Sequence, residues 1–142
     1  MEPIYVAAAI SFVAGLFGYI ITRFWIIPIG RYRRVKGRLG SDISVLLDIL
    51  FEDKAQNEKH TQIQALQVSV RRQSSDLVSI YQNDLPYWYR LNLESKKEQP
   101  LEAAKSLMRL SNTRKTEHLA RQADEIARLL RIKIITPIRT IR

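Results

Sequence analysis

Residues 4–22 form a run of 19 without a charge, and six basic residues with no acid follow between Arg23 and Arg38. A helix of that length is roughly 28 Å long, close to the ~30 Å hydrocarbon core of a bilayer. Hydrocarbon offers no partner for a bare N–H or C=O, so a single crossing has to be helical. The feature therefore divides the chain: an apolar rod first, then a part that has to build its own core. Residues 24–29 add a second apolar piece beyond Arg23. The Arg23 head can reach the phosphate layer while its stem stays in lipid, and Trp25 is of the type that settles at headgroup depth. Pro28 lacks an N–H and argues against a smooth continuation. The sequence thus predicts a crossing at about 4–24 and an interfacial bend at 25–30.

Cleaved secretory signals carry a positive n-region and end in small residues. Here only Glu2 precedes the run, Ala7, Ala8 and Ala9 lie at its start, and Arg23 follows it. An uncleaved anchor is expected. Its positive flank predicts an external N-terminus and a cytoplasmic remainder at the cell inner membrane. The expected headgroup contacts are Arg23, Trp25, Arg31, Arg33, Arg34, Lys36 and Arg38, with anionic lipids as partners at roughly 1 kcal/mol per basic residue near the surface. Along the crossing, Ala7, Ser11, Gly15, Gly18 and Thr22 recur at spacings of three and four, with Ala14 beside them. Such a small-residue stripe allows a second helix to approach closely.

Gly37 and Gly40, with Ser41 and Asp42, predict a flexible connector ending in a helix cap. The Walker spacing is absent, so a phosphate loop is not expected. Division of the chain follows: an anchor and bend over 1–30, a basic juxtamembrane linker over 31–40, a helical domain over 41–131, and a basic C-terminal arm over 132–142. Residues 41–85 contain neither Gly nor Pro. Ile43, Leu46, Leu47, Leu50 and Phe51 give one apolar stripe. Ile63, Leu66, Val70, Leu77 and Ile80 give another at near-heptad, coiled-coil-like spacing, with Gln73 at the missing position. The stripes differ in phase across a polar stretch. Either one long helix changes its contact face, the favoured reading, or a break falls near residues 56–61.

Pro86 ends this segment by forcing Leu85 out of helical angles. Pro100 suits the first turn of a new helix, with Leu101, Ala104, Leu107, Met108 and Leu110 on its apolar side. A last helix over about 116–131 places Leu119, Ala123, Ile126, Leu129 and Leu130 inward. Its outer face carries Glu117, Arg121 and Glu125 at i,i+4, the mark of a solvated surface. The expected fold is all-α: one transmembrane helix, a long amphipathic helix, and a small helical hairpin or bundle. The layout is similar to that of small single-crossing bacterial membrane proteins with helical cytoplasmic tails, a likeness of plan that implies no activity.

Candidate chemistry is sparse. There are no cysteines and two histidines. His60 and His118 lie outside any metal-ligand spacing, and no nucleophile or nucleotide fingerprint is present. No enzyme, cofactor or metal is expected. The net charge of +9 is concentrated in the juxtamembrane block, and recognised nucleic-acid motifs are missing, so nucleic acid is not an expected partner. Tyr87, Trp88, Tyr89 and Arg90 are the expected partner-binding cluster, since aromatics and Arg dominate binding hot spots. Packing into the turn between helices is the plainer alternative. Dipping into the headgroup layer is a third, disfavoured if a long stalk holds the cluster away from the membrane. The functional expectation is a single-pass membrane-anchored assembly or adaptor protein, oligomeric or an accessory subunit of a larger membrane complex. The rival is a small oligomeric pore-forming or membrane-disrupting effector, against which the span offers no charged stripe.

Overall fold

The computed structural model of the protein describes residues 3–52 and 56–133. It is all-α, with no strand among the described residues. Helix α1 (Pro3–Ile21) runs through a π-helical turn (Thr22–Ile26) directly into α2 (Ile27–Phe51). Then follow α3 (Gln56–Ser79), a second π turn (Ile80–Asp84), α4 (Tyr87–Ser95), α5 (Pro100–Asn112) and α6 (Thr116–Leu129).

The expected bend at 25–30 and the expected linker at 31–40 are both helix. Pro28 is accommodated rather than obeyed. In a regular α-helix its ring would strike the carbonyl four residues back. Here the preceding turn is π-helical, and the Ile27 N–H donates to the Thr22 carbonyl five residues back. The extra residue in that turn shifts the carbonyls away from the ring. Nothing at Gly37 or Ser41 interrupts the helix either. Gly40 has a packing role instead. It is buried, and a Cβ placed there would come within 2.9 Å of Ile132 Cγ2. Glycine lets the end of α6 press directly on the α2 backbone.

The favoured single helix over 41–85 is two helices. Glu52 leaves helical geometry at ψ 136°, at the start of the polar stretch, and α3 returns antiparallel to α2. The shift in stripe phase has its cause here, because the two stripes lie on separate antiparallel helices. Arg31 meets Asp84 at 3.6 Å near one end of the pair. Further along, Asp42 accepts hydrogen bonds from Ser69 (2.9 Å) and Gln73 (2.8 Å). That explains the polar residue at the heptad's missing position: Gln73 faces Asp42, not a gap. α5 runs antiparallel to α3, close enough for the buried Ser74 hydroxyl to donate to the Ala104 carbonyl at 3.0 Å. α6 runs antiparallel to α5, and the Gln99 N–H donates to the Leu129 carbonyl at 3.0 Å. α6 in turn packs on α2, which closes a four-helix up-down-up-down bundle.

The core follows the helix periods. Ile43, Leu46, Val70, Leu77, Leu107, Leu110, Leu119, Ile126 and Leu130 are all essentially inaccessible. On α5 the phase differs from expectation: Leu101 and Met108 are exposed, while Pro100, Ala103, Ala104, Leu107 and Leu110 are buried. The i, i+3, i+7, i+10 set around Ala103 and Ala104 presents small residues to α3, which lets the axes draw close. Phe51 is likewise exposed at 56%, at the last position of α2. Two helices finish on left-handed residues without glycine. At Lys97 (φ 57°) the Glu98 N–H reaches the Leu93 carbonyl, and at Arg131 (φ 50°) the Ile132 N–H reaches the Ala127 carbonyl. Both are Schellman closures. Of the C-terminal arm, residues 134–142 lie outside the described residues.

Candidate membrane-proximal interface

No residue of α1 is buried. From Ile4 to Ile26 large side chains such as Phe12, Phe17, Phe24 and Trp25 are exposed, and burial starts only at Ile27 and Pro28. α1 with its continuation is the one helix among the described residues long and apolar enough to cross a membrane. Tyr5 and Trp25, both exposed, are twenty residues apart, about 30 Å along a helix. That matches the separation of the two interfacial aromatic belts of a bilayer.

The small-residue stripe is intact as a surface. Ala7, Ser11, Ala14, Gly15, Gly18 and Thr22 fall within about 100° of the helix circumference, and all six are exposed. A Cβ at Gly15 or Gly18 would meet nothing within 4 Å. Among the described residues, nothing covers this face.

The basic residues separate once their linker is a helix. Arg23 lies beside Trp25 in the π turn, and Arg33, Arg34 and Arg38 are exposed. Arg34 Nε donates to the Gly30 carbonyl at 3.3 Å. Arg31 faces Asp84, a half-exposed pair contributing at most about 1 kcal/mol. Lys36 is committed elsewhere: its ammonium lies 2.8 Å from Glu98 Oε1. A flexible segment would let all of them reach one lipid surface. A straight helix instead carries Arg38 about 20 Å beyond Trp25, some two Debye lengths at physiological salt.

Glu98 was not legible as a site residue. It stands in a polar stretch that reads as a link, yet it is 5% exposed. Its Oε1 accepts the Tyr32 hydroxyl at 2.6 Å and the Lys36 ammonium at 2.8 Å. Burial, then the hydrogen bond to Glu98, hold the Tyr32 phenol well above its ordinary range, so it remains a donor. The only sequence hint was that Tyr32 and Lys36, at i and i+4, share a helix face. The triad binds the α4–α5 connection to α2.

Residues 87–90 are split between two roles. Tyr89 turns inward and meets Tyr32 edge-on, with ring centroids 6.2 Å apart, and Arg90 is half-buried. Tyr87 and Trp88 turn outward, 71% and 47% exposed. Trp88 also packs edge-on against Trp25 at 5.9 Å. No long stalk separates this cluster from the apolar rod, contrary to expectation. α3 descends along α2, and the turn after it returns to the level of Trp25.

His60 and His118 are both exposed. No group of three His, Asp or Glu side chains among the described residues is placed to hold a metal ion. No protein-family model, no curated protein and no solved structure matches the chain.

Proposed function

We propose that this is a single-pass membrane-anchored assembly or adaptor protein. α1 crosses the inner membrane with its N-terminus outside, and the bundle stands on the cytoplasmic side. The observation that carries the reading is the change at Ile27: from Pro3 to Ile26 the helix is an exposed, predominantly apolar surface, and from Ile27 onward the chain closes on a core. About 36 Å of bare apolar helix (residues 3–26) requires a covering, and a bilayer matches it in length and in aromatic placement. Anchoring confines the bundle to a thin layer, which raises its effective concentration for partners held in the same membrane. The stripe from Ala7 to Thr22 supplies a surface for a second crossing helix, from another copy or from a larger membrane complex. Anionic headgroups meet Arg23, Arg33 and Arg34 at the exit.

Cell fractionation with protease protection tests the topology. The full chain is expected in the membrane pellet, with the bundle digested only when the cytoplasmic face is opened. Recovery in the supernatant without detergent overturns the reading. Replacing the exposed cations Arg23, Arg33, Arg34 and Arg38 with Gln is expected to give a mixture of orientations, because the K/R bias sets direction. This choice leaves Arg31 and Lys36 on their carboxylates, so the bundle is spared.

Gly15→Leu with Gly18→Leu tests the stripe. The double variant is expected to weaken association in bilayers by roughly ten-fold, on the order of 1.4 kcal/mol. Crosslinking or mass photometry of the reconstituted protein reads the change. An unaltered distribution of species removes the stripe from the proposal. Purification from native membranes, with identification of co-eluting proteins, then names the partner.

A further inference from the structure

We infer that the lower tip of the bundle, Tyr87 and Trp88 with Leu91 one turn on, is a second membrane contact. Its partner is the headgroup–acyl boundary of the bilayer that α1 crosses. The proposal rests on α1 being the membrane anchor.

Four observations converge. The first is depth. Trp88 packs on Trp25 with centroids 5.9 Å apart, so the two indoles share one level, and Trp25 lies where the apolar rod ends. The second is the exposed chemistry. Tyr87, Trp88 and Leu91 stand at i, i+1 and i+4 on one side of α4, exposed at 71%, 47% and 46%, while Leu93 on the other side is buried. Tyr and Trp combine an apolar body with a polar edge, the composition favoured where acyl chains meet headgroups. The third is continuity. Trp88 contacts Trp25, which stands in the chain between the exposed apolar residues Phe24 and Ile26. The fourth is electrostatic. Asp84 and Glu94 flank the tip, each three residues from it in sequence. Asp84 is held by Arg31 at 3.6 Å, Glu94 is exposed on α4 with Arg90 beside the same Tyr81, and Arg34 is exposed on the same stretch of α2 as Arg31. The two carboxylates are matched in number by Arg31 and Arg90, which leaves the exposed Arg34 guanidinium to meet an anionic surface. The tip is drawn in rather than repelled.

The mechanical result is a two-point attachment. The rod alone leaves the bundle free to rotate about the membrane normal and to tilt. A second insertion beside the rod turns one chosen face of the bundle toward the lipid.

The chain has two tryptophans and no cysteine, which makes the test direct. The full chain is reconstituted into vesicles of mixed zwitterionic and anionic phospholipid, as Trp25→Phe (reporting Trp88) and as Trp88→Phe (reporting Trp25). Lipids brominated high on the acyl chain are expected to quench Trp88 as strongly as they quench Trp25. Deep bromines are expected to quench it less, and aqueous iodide is expected to reach it poorly. A single-cysteine Tyr87→Cys protein carrying an environment-sensitive dye repeats the measurement with both indoles intact. Its emission is expected to shift to the blue when vesicles are added. If Trp88 is open to iodide and indifferent to bromolipid while Trp25 is quenched, the tip lies in water and the inference is wrong. Shielding from both quenchers means that protein covers the tip, which also overturns it. If neither indole responds and the chain fails to float with vesicles, it is the anchor reading that has failed.

Discussion

Glu98→Ala is expected to lower the melting temperature of the bundle by on the order of 10 °C, the size appropriate to a loss of about 2–3 kcal/mol in a domain near one hundred residues. The variant strands two groups at once. The Tyr32 hydroxyl, on a residue only 1% exposed, loses its acceptor, and an orphaned buried donor costs about 1–3 kcal/mol. The Lys36 ammonium loses its counter-charge. Breaking a fully buried pair costs about 3–5 kcal/mol, but this side chain is 24% exposed and water can reach it, so the larger figure is discounted. Glu98→Gln retains an acceptor for Tyr32 and is expected to cost less. Replacing all three members with apolar residues of similar volume is expected to recover most of the stability, because no unpaired group then remains. Circular dichroism melts in detergent give the comparison. Equal melting temperatures for Glu98→Ala and the parent would show that the triad does not hold the α4–α5 connection to α2.

Gly40→Ala and Gly37→Ala are expected to move stability in opposite directions although the glycines share one helix. Ala is the better helix former by about 1 kcal/mol at either position. At Gly37 a Cβ meets nothing within 4 Å, so a gain of about 0.5–1 kcal/mol is realised. At Gly40 the same methyl lands 2.9 Å from Ile132 Cγ2. That atom sits on the branched Cβ, so clearing it takes either a change of χ1, which branching restricts, or a shift of the Schellman turn that carries it. Overpacking of this kind costs about 1–3 kcal/mol, which exceeds the propensity gain. Adding Ile132→Ala to Gly40→Ala is expected to relieve the strain, giving a coupling of opposite sign to ordinary loss of contact. Denaturant titration of five proteins decides the matter: the parent, Gly37→Ala, Gly40→Ala, Ile132→Ala and the Gly40→Ala, Ile132→Ala double variant. Equal stabilisation at both glycines would mean that α6 does not press on α2.

These two sites also show where sequence reading stopped. The apolar rod, the heptad stripe from Ile63 to Ile80, the end at Pro86 and the inward face of α6 were legible because each depends on neighbours within a turn or two. The α5 phase was misread at Leu101 and Met108, since a short helix with alanines on its packed face has a weak apolar signal of its own. Gly40 reads as linker because the residue that needs its missing side chain, Ile132, comes from the far end of the chain. Glu98 reads as a solvated link for the same reason. Gln73 reads as a flaw in a heptad until Asp42 is found opposite. Pro28 reads as a stop because the remedy, one extra residue in the turn before it, lies in backbone bonding and leaves no mark in composition. The location of Trp88 depended on the direction of α3, which in turn depended on the break after Phe51.

The unbroken path from α1 through the π turn to α2 has a mechanical consequence. A flexible tether would let the bundle ignore whatever the crossing segment does. With α1 as the membrane anchor proposed above, a rod instead acts as a lever pivoting at the lipid boundary: inclining it by ~10° carries Phe51 sideways by about 7 Å. Transmembrane helices answer changes in bilayer thickness by inclining. On that reading, thinning or thickening of the membrane would be geared into displacement at the far end of the bundle, and axial rotation of the rod would turn every face of the bundle through the same angle.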